Sequence, residues 1–350
     1  MKKKNVRNVV SALILLGFSG IYPFHYVGAE PKALAENLYL DAEIPEAETR
    51  MKQYEIEIRH YDFQELSNLF MKDQKLNTTG TNEELGIYVG EGEDGSSLTV
   101  TPGRVEYYED KDSLVILNTI FEGILADSRY TPVESLKTEA ELKEDENVIK
   151  AEEEMKALYQ LGADEKFLLA RGGCYSPDAL KDFEEEQKEI WGSAQDTVVS
   201  WKGMEYIGLE YEIEKNGIPV MGVGEPGADM KGEFNVDFPT YVRVLLQDGM
   251  IKAFLINNGY ETIEEKEADI ISAEEALEIE IGNYSDIISD EVKTIQEIKL
   301  EYIAIPDWNS GSPSGKEWIP YWCFIRSDSE GDLYADRING VTGGNLAYGE

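Results

Sequence analysis

Alternating apolar and polar positions predict that much of the chain folds as β-strands. Over 53–61, 207–214 and 297–302, apolar residues alternate with polar or charged ones. This period of two is typical of a strand with one buried face and one face toward solvent. Asn216-Gly217 and Asp248-Gly249 are tight-turn signals between neighbouring apolar runs. The pattern therefore predicts antiparallel strands joined by short turns.

Other segments have the apolar spacing of an α-helix. Ser272 and Glu275 have the spacing of a capping box, in which each residue satisfies a backbone N–H of the other. Ser176 followed by Pro177 is a further start signal. Helices are predicted from Asp62 to about Met71, over 133–161 with Gly162 as the C-cap, from Ser176 and from Ser272.

A helix followed by antiparallel strands occurs twice, after residue 176 and after residue 271. This order predicts an α+β fold in which helices pack on antiparallel sheets. The predicted organisation is a signal peptide (1–29), a linker with the first strand (30–50), an N-terminal mixed α+β domain (51–170) and a C-terminal domain (171–350) with units at about 176–257 and 271–345.

The first 29 residues have the pattern of a secretory signal. A cationic start precedes an apolar run from Val9 to Tyr22, and Val27-Gly28-Ala29 is typical of a cleavage site. The leader is either cleaved or kept as a membrane anchor. No later apolar stretch is long enough to span a bilayer. We therefore expect a secreted or cell-surface protein with no membrane domain beyond the leader.

The net charge of the chain excludes some classes of binding partner. The sequence has 32 Lys and Arg against 70 Asp and Glu, a formal net charge of −38. Loss of the cationic leader makes the charge more negative. Such a charge repels phosphates and anionic lipid head groups, so neither nucleic acid nor a membrane surface is expected as the main partner. An acidic surface either keeps the protein soluble or binds a basic partner or Ca²⁺.

About 80 residues at the C-terminus resemble known extracellular modules. Ile271–Leu277 (Ile-Ser-Ala-Glu-Glu-Ala-Leu) resembles the helix opening of the PepSY superfamily. Leu333–Gly344 resembles its closing strand and turn, with Gly340 where the family usually has Ala. Ile319–Phe324 is similar to the Pro-x-Trp-x-Phe strand of the Yyc-type regulators. Those are membrane-attached proteins of Gram-positive bacteria that restrain a cell-wall-sensing histidine kinase.

The resemblance implies a non-enzymatic protein, without catalytic residues or cofactor, that binds or inhibits another protein. We expect an extracytoplasmic partner, such as a sensor kinase ectodomain or a peptidase, bound at the surface or edge of a sheet. A first alternative is a glycan- or peptide-binding module, and a second is an acid-pair hydrolase. The first would use an aromatic cluster, whose other interpretation is a place in the core, formed by Trp308, Trp318, Tyr321 and Trp322.

The remaining candidate chemistry concerns cysteines and acidic turns. Cys174 and Cys323 either form a disulfide, as is common in exported proteins, or remain as two buried thiols. Two glycine-containing acidic turns are weak candidates for Ca²⁺, which prefers oxygen ligands, and they fit exposed hairpin turns equally well. The candidate Ca²⁺ ligands are Glu93, Asp94, Asp328 and Asp332.

Overall fold

The structure is a computed structural model that describes most of the chain between residues 31 and 345. The described residues are 31–46, 49–71, 76–125, 132–191, 198, 200, 201, 203, 205–221, 239–285, 291–306, 315–329, 331 and 333–345. The predicted leader (1–29), Trp308 and Asp332 lie outside these ranges. Within the described residues, no helix is long and apolar enough to cross a membrane.

The described residues form an α+β fold, which confirms the predicted fold class. The strands are β1 (Lys32–Ala35), β2 (Leu38–Leu40), β3 (Arg50–Ile58), β4 (Asn77–Asn82), β5 (Ile87–Glu91), β6 (Ser97–Thr101), β7 (Arg104–Tyr108), β8 (Glu165–Tyr175), β9 (Tyr206–Lys215), β10 (Ile218–Pro219), β11 (Tyr241–Gln247), β12 (Met250–Asn257), β13 (Tyr260–Asp269), β14 (Lys293–Pro306), β15 (Gly315–Ser327) and β16 (Leu333–Asn339). The helices are α1 (Phe63–Phe70), α2 (Lys111–Asn118), α3 (Glu139–Glu144), α4 (Glu146–Tyr159), α5 (Pro177–Trp191) and α6 (Ala273–Ser285). Thr119–Ile124 continues α2 as a π-helical segment.

In the described part of the chain, the strands form two sheets. Sheet I has the order β1-β2-β14-β15-β3-β13, and β16 also pairs with β15. Sheet II has the order β10-β9-β11-β12-β7-β6-β5-β4, and β8 also pairs with β9. The described pairings are antiparallel, as predicted, except that β2 runs parallel to β14 and an isolated parallel bridge joins Val220 to Tyr302.

A shared hydrophobic core joins the two sheets. It includes Tyr54 and Trp318 of sheet I, Tyr211 and Val244 of sheet II, and Met155 of α4. A second cluster packs α2, the π-helical segment and α5 on sheet II. Burial of apolar area, at about 25 cal/mol per Å², is the main force that holds these layers together.

Helix α6 packs on sheet I and begins with the predicted capping box. The Ser272 hydroxyl accepts from the Glu275 N–H at 3.1 Å, and the Glu275 carboxylate accepts from the Ser272 N–H at 2.9 Å. Leu277 then lies in a cluster with Trp322 and Phe324 of β15. The cap therefore positions the apolar face of α6 over this part of the sheet.

The single helix predicted over 133–161 is wrong, because the chain forms α3 and α4 there. Asp145 has an extended backbone and ends α3. Its carboxylate also caps α4 by accepting from the Asn147 N–H at 2.8 Å. Helix α4 ends at the left-handed Gln160, with φ 59°, rather than at Gly162. Asp is among the most favourable N-cap residues, and Asp145 therefore divides the predicted helix into two.

The predicted domain boundary after residue 170 falls inside β8. In sheet I, β3 pairs with β13 and β15. In sheet II, β7 pairs with β12. Strands from 51–170 and from 171–350 therefore lie side by side in both sheets. Alternation predicts strands, but it does not predict which strands pair.

Candidate functional site

The two described tryptophans of the predicted aromatic cluster belong to the core. Trp318 and Trp322 are both 0% exposed. The ring of Trp318 meets those of Tyr54 and Tyr260 edge-on, with centroids 6.3 Å and 6.2 Å away. The Trp322 Nε1 donates to the Ile271 carbonyl oxygen at 2.9 Å. Neither tryptophan presents an exposed ring on which a sugar would stack.

Tyr321 lies on the face of sheet I opposite the two tryptophans, next to Met221 and Ile303. Its hydroxyl accepts from the Asn339 side-chain amide at 3.2 Å, and burial raises its pKa. Neighbouring positions of a strand point to opposite faces, so Tyr321 and Trp322 lie on different surfaces. The described residues of the predicted cluster therefore do not come together as one binding platform.

The two cysteines are buried thiols and form no disulfide, which is the second of the two alternatives that the sequence left open. Cys174 lies on β8 in sheet II, whereas Cys323 lies on β15 in sheet I. Burial, together with the neighbouring Glu205, raises the pKa of the Cys174 thiol to about 12. A thiol with so high a pKa stays protonated and is a poor nucleophile.

The predicted calcium-binding turns are closed by their own hydrogen bonds. Asp94 Oδ1 accepts from the N–H and the hydroxyl of Ser96, at 3.0 Å and 2.7 Å. Asp328 Oδ2 accepts from the Tyr334 hydroxyl at 3.1 Å, and Glu93 is exposed. Among the described residues, no group of three or more His, Cys, Asp or Glu side chains is arranged to hold a metal ion.

A pair of acidic side chains lies between α6 and β16. Glu280 of α6 is buried, and its carboxyl shares a hydrogen bond with Asp336 of β16. Arg326 forms a salt bridge with Asp336. Burial, and then the charge of Asp336, raise the pKa of Glu280 to about 8. A hydrolase would need such a pair in an open cleft, whereas neither Glu280 nor Asp336 lines the groove beside Ile218 or the smaller cavity beside Phe70.

We expect Glu280 to make the protein less stable as the pH rises. Its pKa is about 8 in the folded protein and near 4.5 as an ordinary carboxyl. Its stabilising contribution is therefore complete below the lower value and is lost as the pH rises through the higher one, by up to about 1.4 kcal/mol per pH unit. Urea midpoints measured across this range should decline less for Glu280→Gln than for the native protein.

The matched control for this prediction is Glu278→Gln, because Glu278 is exposed on the same helix. This variant should keep the native decline of stability with pH. Equal declines in the Glu280 variant and in the native protein would contradict the role of Glu280.

Strand β13 is the candidate binding edge, and the sequence pattern does not predict it. Polar residues occupy both of its faces, so no alternation marks it. The β-branched Thr262 and Ile263, after the Asn258-Gly259 turn, are the signal that predicts a strand here. Residues 263–267 are all exposed, and Ile263 is 54% exposed.

Strand β13 is an edge of sheet I. It pairs with β3 from Tyr260 opposite Ile58 to Asp269 opposite Arg50, and no described strand pairs with its other side. An edge strand directs alternate N–H and C=O groups outward, where another chain can pair with them. Because residues on both faces are exposed, the middle of this strand is accessible to a partner.

Four glutamates beside this edge form what we term the acidic patch, namely Glu55, Glu57, Glu261 and Glu264. Glu261 lies directly opposite Glu57, and Glu264 lies directly opposite Glu55. None of the four forms a salt bridge with another described residue. Like charges directly opposite each other across two strands are destabilising. The patch therefore favours a cationic ligand that would relieve this repulsion.

The other end of β13 is neutralised by salt bridges. Lys52 Nζ lies 2.9 Å from Glu265 Oε2, and Arg50 Nε lies 3.4 Å from Glu267 Oε2. The hydrogen bond to Glu265 raises the pKa of Lys52. The negative charge of β3 and β13 that no salt bridge balances is therefore concentrated at the acidic patch, toward the beginning of β13.

Comparisons with known proteins bear on the fold and leave the function open. No protein-family model matches the chain, and no curated protein matches it. The chain is similar in structure to an uncharacterized protein from Eubacterium rectale ATCC 33656, whose crystal structure was determined at 1.45 Å resolution. The similarity has a TM-score of 0.58 with 13% identity, and it covers 90% of this chain and 92% of that chain. A likeness at this identity concerns the fold alone.

Proposed function

We propose that the protein is a non-enzymatic regulatory protein that binds another extracytoplasmic protein, such as a sensor kinase ectodomain or a peptidase. In this proposal, the partner adds a strand to β13. The observation that carries the proposal is the acidic patch beside an accessible edge strand. The location outside the cytoplasm rests on the leader pattern of residues 1–29.

The acidic patch sets the chemistry of the proposed partner. Backbone pairing with β13 would supply affinity for any extended segment, and side chains would supply the specificity. Lys or Arg on one face of that segment would form charge-assisted hydrogen bonds with the patch glutamates. The exposed Ile263 adds an apolar contact. Because the patch is at the surface, binding should weaken as the salt concentration rises.

Site-specific crosslinking in the native host tests the proposed edge directly. A photo-crosslinking residue at Ile263 of the full chain should capture a protein partner at β13. The control is the same residue at Ile149, which is 48% exposed on α4. Equal capture from both positions, or no capture from Ile263, would argue against strand addition at β13.

Neutralising the acidic patch is expected to weaken the captured complex without unfolding the protein. Replacing its four glutamates with glutamine removes the charges that attract the partner, and we expect at least a tenfold rise in Kd, or ~1.4 kcal/mol. The stability of the free protein should not fall, because the change also removes two repulsive cross-strand pairs. Titration calorimetry and urea unfolding measure the two effects.

A matched control changes four exposed glutamates away from β13. These are Glu83, Glu84, Glu185 and Glu189. Their replacement by glutamine alters the net charge equally and should leave Kd unchanged within about twofold. If both quadruple variants weaken binding to the same degree, net charge rather than the acidic patch governs the interaction.

A further inference from the structure

Two backbone hydrogen bonds show which groups of β13 face its neighbour β3. The Ile270 N–H donates to the Thr49 carbonyl at 2.9 Å, and the Arg59 N–H donates to the Gly259 carbonyl at 2.9 Å. Gly259 and Ile270 flank β13, one at each end. Since the direction of backbone groups alternates with a period of two along a strand, these two bonds determine the direction at every position between them.

A β-bulge divides β13 into two parts. Thr262 lies opposite Ile56 and Glu264 lies opposite Glu55, so Ile263 is an extra residue in β13. The odd-numbered positions face β3 before the bulge, and the even-numbered positions face β3 after it. After the bulge, the residues that direct their N–H and C=O groups outward are Glu265, Glu267 and Asp269.

The backbone of β3 agrees with this direction. The Lys52 carbonyl accepts from the Tyr302 hydroxyl at 2.9 Å, on the side of β3 away from β13. The odd-numbered positions of β3 then face β13, including Gln53, which lies opposite Lys266. Lys266 is therefore bonded to β3, whereas its neighbour Glu265 is directed outward.

The beginning of β13 is closed to a further strand. The outward carbonyl of Tyr260 accepts from Nε and Nη2 of Arg59 at 3.2 Å and 2.7 Å, and Tyr260 is 2% exposed. Arg59 Nη1 also donates to the Gln160 carbonyl at the end of α4, at 2.7 Å. The edge that can accept a strand therefore begins after the bulge and spans Glu265–Asp269, which is roughly 13 Å at about 3.3 Å per residue.

The negative charge beside this edge lies at the end next to the bulge. Side chains two positions apart share a face, so Glu264, Lys266 and Ala268 lie on one face of β13. Glu264 lies opposite Glu55 in the acidic patch, whereas Lys266 Nζ lies 3.1 Å from Glu317 Oε1. Ala268 is roughly 13 Å from Glu264 along the strand, beyond the Debye length of about 8 Å at physiological ionic strength. A cation is therefore attracted opposite Glu264 and much less opposite Ala268.

We infer that the partner strand pairs antiparallel with Glu265–Asp269 and carries Lys or Arg opposite Glu264. Antiparallel pairing is slightly more stable per residue than parallel pairing, and each outward residue donates one hydrogen bond and accepts one. In this direction, the basic residue lies at the carboxyl end of the paired segment. The inference rests on the proposed function, because it concerns the same edge and the same partner.

Residue-resolved hydrogen exchange on the full chain first tests which amides are directed outward. In the protein alone, the amides of Glu265, Glu267 and Asp269 should exchange at least tenfold faster than those of Lys266 and Ala268, which are bonded to β3. Slow exchange of the three outward amides would overturn the inference, because this edge would already be paired.

Two cyclised hairpin peptides then test the position of the basic residue. A preformed strand is used because it loses less entropy on binding than a free peptide. The test strand consists of threonine with one lysine, placed opposite Glu264 in the first hairpin and opposite Ala268 in the second. At millimolar concentration, the first hairpin should slow exchange of the outward amides by tenfold or more. The second should need at least about a threefold higher concentration for the same protection.

Three controls make this test specific. Hairpins with N-methylated amides on the test strand should give no protection, because they cannot donate to β13. Glu264→Gln should remove the difference between the two hairpins. Glu265→Gln is the matched change, since Glu265 lies on the other face and binds Lys52, and it should keep the difference. Urea midpoints establish that both variants are folded.

Equal protection by the two hairpins would overturn the inference, because the position of the lysine would not matter. Stronger protection by the second hairpin would overturn the antiparallel direction, and failure of both would overturn the pairing itself. The proposed function is judged separately by crosslinking at Ile263 in the native host. Capture there would support it even if the hairpins fail, and absence of capture would argue against it even if they bind as expected.

Discussion

Replacing Glu210 with glutamine is expected to lower the free energy of unfolding by about 3–5 kcal/mol. Glu210 is 0% exposed on β9. Its carboxylate accepts from Nε and Nη2 of Arg171 at 2.7 Å and 2.9 Å, and from Nε of Arg243 at 2.7 Å. Glutamine keeps the size of the side chain but removes its charge. Two guanidinium groups would then be held together without the carboxylate that neutralises them.

The control for this prediction is Glu122→Gln. Glu122 also binds Arg243, but its side chain is 62% exposed. A surface partner of this kind contributes at most about 1 kcal/mol, since water replaces it. Denaturant unfolding of both variants measures the difference. Similar losses of unfolding free energy in the two variants would show that burial does not determine how much Glu210 contributes to stability.

Replacing Arg337 with methionine is the second change with a large expected effect. Arg337 Nε lies 2.6 Å from Glu301 Oε1, and both side chains are 1% exposed. Burial raises the pKa of Glu301, but Arg337 and Lys299 outweigh this and hold it below the usual value. Without Arg337, the buried carboxylate loses its main counter-ion, and we expect a loss of about 3–5 kcal/mol at neutral pH.

The loss of stability in Arg337→Met should depend on pH, because the variant changes the pKa of Glu301. In the native protein, the lowered pKa of Glu301 gives stability that is present above the ordinary pKa of 4.5 and is lost as the pH falls through the folded value. In the variant, burial acts with less opposition, so the pKa of Glu301 rises and stability falls with increasing pH. The difference between the two proteins should therefore shrink in acid.

A double variant tests whether the loss of stability comes from leaving one buried charge without its partner. Glu301→Leu together with Arg337→Met replaces both charges with apolar groups, which is often close to neutral for stability. We expect the double variant to recover most of the loss seen in Arg337→Met, as measured by urea unfolding at neutral pH. If the two single losses simply add, the residues do not act as a pair.

Both of these predictions concern residues that the sequence pattern places on the solvent side of a strand. Alternation identified β9 and β14, because one face of each carries large apolar side chains. Glu210 and Glu301 lie on the other face, and both are buried. Their counter-ions come from β8, β11 and β16, and a local period holds no information about such distant partners. An acidic residue within a predicted strand is therefore not sufficient evidence of exposure.

The candidate binding edge escaped prediction for the opposite reason. Strand β13 is exposed on both faces through its middle, so it lacks the apolar face on which period-based prediction depends. The acidic patch depends in addition on the register between β3 and β13, which places Glu57 opposite Glu261. The tryptophans are the opposite case. Trp318 and Trp322 belong to the continuous apolar run 318–325, which is typical of a strand buried on both faces, and both lie in the core.

The pairing of early strands with late ones bears on how the chain reaches its native state. The Arg59 side chain bonds to the carbonyl of Tyr260, 201 positions later, and the Tyr302 hydroxyl bonds to the carbonyl of Lys52 across 250 positions. Contacts of such separation form slowly, because long loops must close before the contacts compensate for the lost entropy. Until β13 and β15 pair with β3, the backbone groups at the edges of β3 are accessible to incorrect strand pairing. Sheet I can therefore be completed only after β15 and β16 have been synthesised.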